Sequence, residues 1–133
     1  MSRATTLWLR GEALVILAAA VFLLWQGYDR LGVFPPWAVV LILLAPDLSM
    51  LGYAAGPKPG AICYNAAHTY AAPILALAMG WQLLGEGART AAAALALFWI
   101  IHIAADRLLG YGLKAPTGFR DTHLGRLGGG GDG

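Results

Sequence analysis

The sequence predicts an all-α fold, a four-helix transmembrane bundle. Apolar residues make up 59% of the chain and charged residues only 12%, whereas a soluble domain carries about 25% charged residues. Four apolar blocks follow one another along the chain, and the mean hydropathy is +0.64. Lipid must therefore be the solvent for much of the surface, so we expect the lipid bilayer to be the main partner.

The length permits a single helical domain over residues 1–127, followed by a flexible Gly-rich tail at residues 128–133. The first apolar block predicts a helix over residues 6–28. Arginines precede this block, as they do in a signal peptide, but its end lacks the small-x-small pattern that signal peptidase requires. We therefore expect it to remain in the protein as a membrane helix.

The second block begins after two prolines, and proline is common in the first turn of a helix. It predicts a helix over residues 31–45, which is short for a membrane span of about 20 residues. Two extensions stay open. The helix either begins near Leu31 or continues past Pro46 with a kink toward Tyr53.

The third and fourth blocks predict helices over residues 61–84 and 88–109. Pro73 lies inside the third block, where it removes one backbone hydrogen bond that neighbouring helices can tolerate in a bundle. Both blocks are rich in small residues, which let membrane helices approach closely.

The chain has a single cysteine, Cys63, which excludes an intrachain disulfide. Cys63 is expected to be a buried, inert thiol.

The placement of lysine and arginine predicts the orientation, since cytoplasmic loops carry an excess of both. With four spans, the N-terminus, the loop after the second helix and the C-terminal tail share one side. Seven basic residues fall on that side: Arg3, Arg10, Lys58, Arg107, Lys114, Arg120 and Arg126. Only Arg30 and Arg89 fall on the other. We therefore expect a multi-pass protein of the cell (inner) membrane with both termini cytoplasmic. The basic residues are spread along the chain, so no nucleic-acid partner is expected.

The unusual polar residues fall toward this same side, although the orientation rests only on lysine and arginine. Asn65 and His68 are three residues apart, and His102 and Asp106 are four apart, so each pair shares one helix face. Neighbouring antiparallel helices bring the two histidines to similar depths. We predict that five residues converge at one end of the bundle: Asp47, Asn65, His68, His102 and Asp106.

Imidazole nitrogens together with carboxylate oxygens suit a divalent metal such as zinc, iron or manganese. The predicted ligands are His68, His102 and Asp106, with one position left open where water is activated. Asp47 is the predicted further ligand or general base. Asn65 is expected to orient water or a ligand. Glu12, in the first turns of the first helix, is expected to fix a histidine tautomer through a hydrogen bond.

Structural interpretations of the same residues stay open. Asp47 is also a candidate helix cap, and a hydrogen bond between His68 and Asp106 would hold the bundle together, as polar residues do between membrane helices. Tyr53 and Tyr111 are candidate anchors at the membrane interface.

Four strings of the sequence carry a family resemblance. They are PDLSMLGY at residues 46–53, YNAAHTY at 64–70, HIAADRLLGYGLK at 102–114 and GFRDTHLG at 118–125. These strings resemble an uncharacterised family of bacterial integral membrane proteins, domain-of-unknown-function family 4260, whose opening Glu12 also matches. The resemblance covers about residues 9–125. It implies a small multi-spanning protein with these polar residues and assigns no reaction. The Pro-Asp and His-x-x-x-Asp elements are also loosely similar to those of membrane-bound metal-dependent hydrolases, an analogy of a few residues.

Three functional hypotheses follow. The first is a membrane enzyme with a metal-assisted hydrolytic site at the cytoplasmic end, acting on a lipid or lipid-linked substrate. The second is a non-enzymatic membrane protein whose polar cluster holds the bundle together or relays protons. The third is an accessory subunit of a larger membrane complex. A water-accessible pocket at the cluster would favour the hydrolase, because purely structural contacts leave no cavity.

Overall fold

The computed structural model describes residues 2–27 and 34–128. Its elements are α1 (Arg3–Gln26), α2 (Pro36–Leu44), a 3-10 helix (Ala45–Ala55), α3 (Pro57–Ala67), α4 (Ala71–Leu83), α5 (Glu86–Leu109), β1 (Asp121–Thr122) and β2 (Gly125–Arg126). The chain is mostly helical, as predicted. A strictly all-α fold is wrong for the tail, where β1 and β2 pair antiparallel. The predicted helix limits at Tyr28 and Leu31, the basic residue Arg30 and tail residues 129–133 lie outside the described residues.

α1 confirms the first predicted helix. Ser2 caps its N-terminus by accepting a hydrogen bond from the Thr5 backbone N–H at 3.1 Å. Trp8 and Trp25, near its two ends, are 77% and 76% exposed. They are about 25 Å apart along the helix, close to the ~30 Å hydrocarbon thickness of a bilayer. Tryptophan is enriched at both membrane interfaces, so α1 has the length and the aromatic ends of a spanning helix.

The second predicted helix continues well past residue 45. α2 itself ends before Pro46, because that residue has no N–H to donate and its ring would clash with the Ile42 carbonyl. The Ala45 N–H bonds to the Ile42 oxygen instead. The 3-10 helix then extends the apolar stretch to 20 residues, Pro36–Ala55. Of the two extensions left open by the sequence, the structure has the one that continues toward Tyr53.

The third predicted helix, residues 61–84, is wrong as a single element. α3 and α4 are separate helices, and residues 68–70 between them are not helical. The cause is the buried Pro73, which cannot donate to the carbonyl of Thr69 four residues earlier and whose ring would clash with it. The Ala72 N–H bonds to the Thr69 oxygen in a tighter turn, at 3.2 Å. We refer to residues 68–70 as the helix break.

α5 lies at the centre of the packing and confirms the fourth predicted helix. α1, α2 and α4 all contact it, and its Ala94, Ile103 and Ala104 are completely buried. α1 runs antiparallel to α5, because Arg10 lies beside Gly110 just after the end of α5, whereas the end of α1 lies near the start of α5. The beginning of α1 and the end of α5 therefore lie at the same end of the molecule.

α3 packs antiparallel along the 3-10 helix, and small residues let the two backbones approach. A Cβ atom on Gly52 would lie 2.8 Å from that of Cys63, and a Cβ atom on Gly60 would overlap the Tyr53 ring. Cys63 is nevertheless exposed. The predicted buried thiol is therefore wrong, since α3 is covered mainly on the side that faces the 3-10 helix.

Within the described residues, three helical stretches are long and apolar enough to cross a membrane: Arg3–Gln26, Pro36–Ala55 and Glu86–Leu109. α4 is apolar but has only 13 residues, so a bundle of four full-length spans is not confirmed. Large apolar side chains such as Trp37, Leu41 and Leu83 face outward. So much exposed apolar surface is atypical of a soluble monomer. The fold is therefore that expected of a multi-pass membrane protein.

The close approach between α3 and the 3-10 helix gives a stability prediction. We expect Gly60→Ala to lower the free energy of unfolding by ~1–3 kcal/mol, because the new methyl group must displace the Tyr53 ring. Thermal unfolding in detergent measures the change. Gly11→Ala on α1 is the matched control, since among the described residues no atom other than the local backbone of α1 and the chain neighbours lies within 4 Å of its Cβ position. It should be neutral or stabilising by up to about 1 kcal/mol. Equal effects of the two variants would contradict the packing described here.

Candidate metal centre

Two imidazoles and two carboxylates converge at the end of the molecule where α5 finishes. One nitrogen or oxygen atom from each of Asp47, His68, His102 and Asp106 lies within 4.8 Å of the other three. Asp47 belongs to the first turn of the 3-10 helix, His68 to the helix break, and the other two residues to adjacent turns of α5. The predicted convergence of these four residues is confirmed. We call them the His/Asp cluster.

Five distances among the ligand atoms of the His/Asp cluster lie between 3.1 and 3.9 Å, and all four atoms lie within 4.8 Å of one another. The Nε2 atoms of His68 and His102 are 3.1 Å apart. Asp47 Oδ1 lies 3.5 and 3.4 Å from these two atoms, and Asp106 Oδ2 lies 3.6 and 3.9 Å from them. Around a tetrahedral zinc ion with bonds of about 2.0–2.1 Å, neighbouring ligand atoms are about 3.3–3.4 Å apart. The side chains thus have the chemical identity, number and spacing of ligands to a divalent metal.

The His68 ring is held by the last turn of α3. Its Nδ1 lies 2.9 Å from the backbone oxygen of Tyr64. Only a protonated nitrogen can donate to a carbonyl, so Nδ1 carries the ring proton. Nε2 is left with a lone pair directed into the cluster, which is the arrangement of metal-binding histidines. The Tyr64 ring also stacks on the imidazole with 3.7 Å between centroids, which restricts rotation of the ring.

The helix break leaves backbone carbonyls without helical partners, and side chains of α5 bind them. Trp99 Nε1 donates to the Ala67 oxygen at 2.6 Å. Arg107 Nη2 donates to the His68 oxygen at 3.4 Å. Both donors lie on the helix that carries His102 and Asp106. The helix break is therefore fixed in register with the remaining members of the His/Asp cluster.

Asp106 is held by hydrogen bonds of its own. The Tyr64 hydroxyl donates to Asp106 Oδ2 at 2.9 Å. Gly110, with φ 95°, ends α5 in the left-handed conformation that favours glycine, and the Tyr111 N–H bonds to the Asp106 backbone oxygen at 2.8 Å, as in a Schellman motif. Tyr64 was missed as a site residue. Its spacing of four residues from His68 on one helix face is the signal that points to it.

Exposure differs across the His/Asp cluster. The side chains of His68 and His102 are 3% and 9% exposed, whereas those of Asp106 and Asp47 are 19% and 40% exposed. A cavity of about 210 Å³, lined by both carboxylates, opens on this side. We call it the polar cavity. The 3-10 helix has no side-chain cap, so the alternative role of Asp47 as a helix cap is not seen.

The other two predicted site residues lie apart from the His/Asp cluster. Asn65 uses its amide on the backbone of Lys114, donating from Nδ2 to the carbonyl oxygen at 2.9 Å and accepting from the N–H at 2.7 Å. Its predicted role in orienting water stays a prediction. Glu12 is exposed on α1. Among the described residues no hydrogen bond joins Glu12 to a histidine, and the Tyr64 carbonyl fixes the His68 tautomer instead.

Lys114 covers the polar cavity and was missed as a site residue. Its side chain is buried, and Nζ lies 4.8, 5.8 and 4.1 Å from the ring centres of Tyr64, Tyr111 and Phe119. Burial lowers the pKa of the Lys114 amine, while the carboxylates of the His/Asp cluster oppose that change. No helical spacing relates Lys114 to the histidines, because the fold of the tail brings it back over them.

The tail is fixed by pairing between residues 113–115 and 121–123. Lys114 forms a β-bridge with Thr122, and the Leu113 N–H donates to His123 Nδ1 at 2.8 Å. Arg107 lies 3.2 Å from the other ring nitrogen of His123. Partial burial, and then the positive charge of Arg107, lower the pKa of His123. His123 therefore orders the tail and does not join the His/Asp cluster.

A second, apolar cavity of about 450 Å³ lies between α2, α4 and α5. We call it the apolar cavity. Pro46 and Ala67, the chain neighbours of Asp47 and His68, line its near end. The remaining lining residues are almost all apolar: Ile42, Ala45, Ser49, Ala76, Ala92, Leu95, Ala96 and Trp99.

The fold and the site together define a small, helical, multi-pass membrane protein with a His/Asp cluster at one end. The chain belongs to the family described as a domain of unknown function, DUF4260, which matches residues 6–127. The resemblance drawn from the sequence strings is thereby confirmed. No curated protein and no solved structure matches the chain.

The order of the tail should depend on pH through His123. The folded pKa lies below the ordinary value of 6.5, so folding favours the neutral ring. Its contribution to stability is present above pH 6.5 and is lost as the pH falls and the ring protonates, because a protonated Nδ1 cannot accept from Leu113. We expect hydrogen exchange at residues 111–127, corrected for intrinsic rates, to be slower at about pH 7.5 than at about pH 5.5.

His123→Asn is the control for this experiment, since its amide oxygen can accept a hydrogen bond but does not titrate in this range. The variant should show corrected exchange rates that do not change between the two pH values. If the wild-type tail exchanged equally at both pH values, His123 would not hold it.

Proposed function

We propose that this protein is a metal-dependent membrane hydrolase that acts on a lipid or lipid-linked substrate at the membrane surface. The observation that carries the proposal is the His/Asp cluster itself. Its four potential ligand atoms lie within 4.8 Å of one another, the Tyr64 carbonyl fixes the tautomer of one histidine, and a cavity opens beside the carboxylates. A divalent ion such as zinc would supply a water of lowered pKa and a Lewis acid.

The differing exposure of the four side chains supports a division of roles. His68, His102 and Asp106 are the more buried, and Tyr64 forms hydrogen bonds with His68 and Asp106, so we assign these three as metal ligands. Catalytic sites commonly use three protein ligands and keep the fourth position for water. Asp47 is the most exposed of the four, and its oxygen lies near that fourth position. It would take a proton from water there as the general base.

The apolar cavity supports a lipid substrate. Its lining includes Pro46 and Ala67, the chain neighbours of Asp47 and His68, and extends toward the start of α5. An acyl or prenyl chain would occupy the apolar cavity while the bond to be cleaved lies at the cluster. The site lies near the end of α5. Asp106 is about 6 Å from Gly110 along the helix axis. That depth corresponds to the interface, where lipid head groups lie.

We also propose an orientation for the chain. α4 would be the fourth, shorter crossing, since it runs beside α5 from the His/Asp cluster back to the start of α5. Both termini, the cluster and most of the lysines and arginines would then face the cytoplasm, in keeping with the positive-inside rule. The inner membrane of a bacterium is the proposed location.

Metal content is the direct test of the proposed function. We expect the detergent-purified protein to bind about one zinc or manganese ion per chain, and His68→Ala and His102→Ala to lose it, because each change removes a ligand. Tyr64→Phe should weaken binding by about 10-fold, because it removes only the hydrogen bond to Asp106. Metal titration by calorimetry and elemental analysis measures both effects.

The chain supplies its own control, because its third histidine lies outside the cluster. His123→Ala should bind metal as the wild type does.

A second function, a hydrogen-bonded structural or proton-relaying cluster, is favoured by the 3.1 Å separation of the two histidine nitrogens. It predicts no metal binding but a loss of thermal stability in His68→Ala and His102→Ala. That outcome would replace the hydrolase proposal.

The orientation is tested by labelling single cysteines in intact cells, in a Cys63→Ala background because Cys63 is exposed. Pro116→Cys adds a thiol in the tail, and Gly85→Cys adds one between α4 and α5, where the described residues, apart from its chain neighbours, place no atom within 4 Å of the Cβ position. We expect an impermeant maleimide to label the Gly85→Cys variant and to label the Pro116→Cys variant only after lysis. The reverse pattern would mean that the termini face outward.

A further inference from the structure

Lys114 is a buried amine without a hydrogen-bond acceptor. Its side chain is only 4% exposed, and among the described residues no oxygen or nitrogen accepts from Nζ. Three aromatic rings surround it, with Phe119 nearest at 4.1 Å. Contacts with ring faces offset part of the cost of burying the charge, but they do not satisfy its three N–H donors. A buried charge without an acceptor is costly, so this amine has capacity for a ligand.

The Lys114 amine lies at the polar cavity together with the carboxylates. Lys114, Asp47 and Asp106 line the same cavity of about 210 Å³, yet Nζ forms no ion pair within 4 Å of either carboxylate. Its separation from them leaves space for another group between the amine and the His/Asp cluster. The cavity volume is sufficient for a small anionic group with some water, since one water occupies about 30 Å³ in the liquid.

The charge balance indicates the sign of that group. A bound divalent cation would formally neutralise the two carboxylates, and the histidines are uncharged when they bind metal. Lys114 then leaves one positive charge facing the cavity. Without the cation, the same cavity carries a net negative charge and repels anions. An anion is therefore expected to bind the metal-loaded protein and not the metal-free one.

The backbone of Lys114 is fixed before any ligand arrives. Asn65 holds it through two hydrogen bonds, of 2.9 and 2.7 Å, and the bridge to Thr122 holds it from the tail. The aromatic rings of Tyr64 and Phe119 confine the side chain. A donor that is already in position loses little conformational entropy on binding.

From these observations we infer that Lys114 forms an anion-binding subsite beside the metal centre, which takes the phosphate group of the substrate. This inference rests on the proposed function and specifies its substrate class as a phosphorylated one. The phosphate belongs either to a lipid head group or to a free phosphate compound. Asn65 is the positioning residue that holds the Lys114 backbone over the polar cavity.

The experiment uses the full-length protein in detergent and two titrations. The first measures manganese binding to wild type, Lys114→Met and the control Lys58→Met, which removes an equal charge from an exposed position on α3. The second adds inorganic phosphate to each protein after manganese loading and removal of free metal. We expect all three proteins to bind manganese. We expect Lys114→Met to bind phosphate at least about 10-fold more weakly than the other two, because it lacks a charged donor.

The two titrations separate failure of this inference from failure of the proposed function. If manganese binds but phosphate binds equally to wild type and Lys114→Met, the subsite is wrong while the metal centre stands. If no manganese binds to any of the three proteins, the metal centre is wrong and the subsite fails with it. Phosphate binding to metal-free wild type as strong as to the loaded protein would also overturn the inference.

A second ligand identifies the source of the phosphate. Dodecyl phosphate carries the same charged group on an apolar chain, and dodecanol is its uncharged control. Binding of dodecyl phosphate that depends on Lys114 and is more than about 10-fold tighter than that of inorganic phosphate would assign a lipid head group, because the buried chain adds affinity. Binding of equal strength, again dependent on Lys114, would assign a free phosphate compound.

Discussion

Pro73 has no backbone N–H to donate to Thr69, and its ring cannot share space with that carbonyl. α3 ends before α4 begins, and His68 lies at the end of α3. The carbonyl groups freed by the helix break bind Trp99 and Arg107 of α5. A single proline thus converts what would be one continuous helix into a junction that holds an imidazole against the neighbouring helix.

The C-terminal tail completes the site through a different interaction. Nothing in the helices would bring Lys114 over the polar cavity, but the amide of Asn65 binds its backbone from α3 and His123 binds the neighbouring Leu113. The site therefore has two parts. Membrane helices hold the His/Asp cluster, and a folded-back tail covers it with a positive charge. The turn and the two-stranded hairpin of the tail follow the end of α5 and therefore lie outside the apolar membrane-spanning stretches.

The apolar blocks were sufficient to predict α1 and α5, and helical spacing with antiparallel packing was sufficient to predict the convergence of Asp47, His68, His102 and Asp106. The helical period indicates which residues share one helix face. Antiparallel packing indicates which residues of neighbouring helices lie at the same depth. The break at residues 68–70 was not predicted, because a proline in a membrane helix produces either a kink or a stop depending on the partners of the freed carbonyls. Lys114 was missed because its position depends on contacts between Asn65 and the tail, which no sequence period encodes.

The central claim is that His68, His102 and Asp106 bind one divalent ion together, with Asp47 beside it. X-ray absorption spectroscopy of the zinc-loaded protein tests it most directly. We expect two imidazole nitrogens and one or two carboxylate oxygens at about 2.0–2.2 Å from the zinc, with this signal lost in His102→Ala and unchanged in His123→Ala. A spectrum with oxygen neighbours alone, or one that His102→Ala leaves unaltered, would contradict the account.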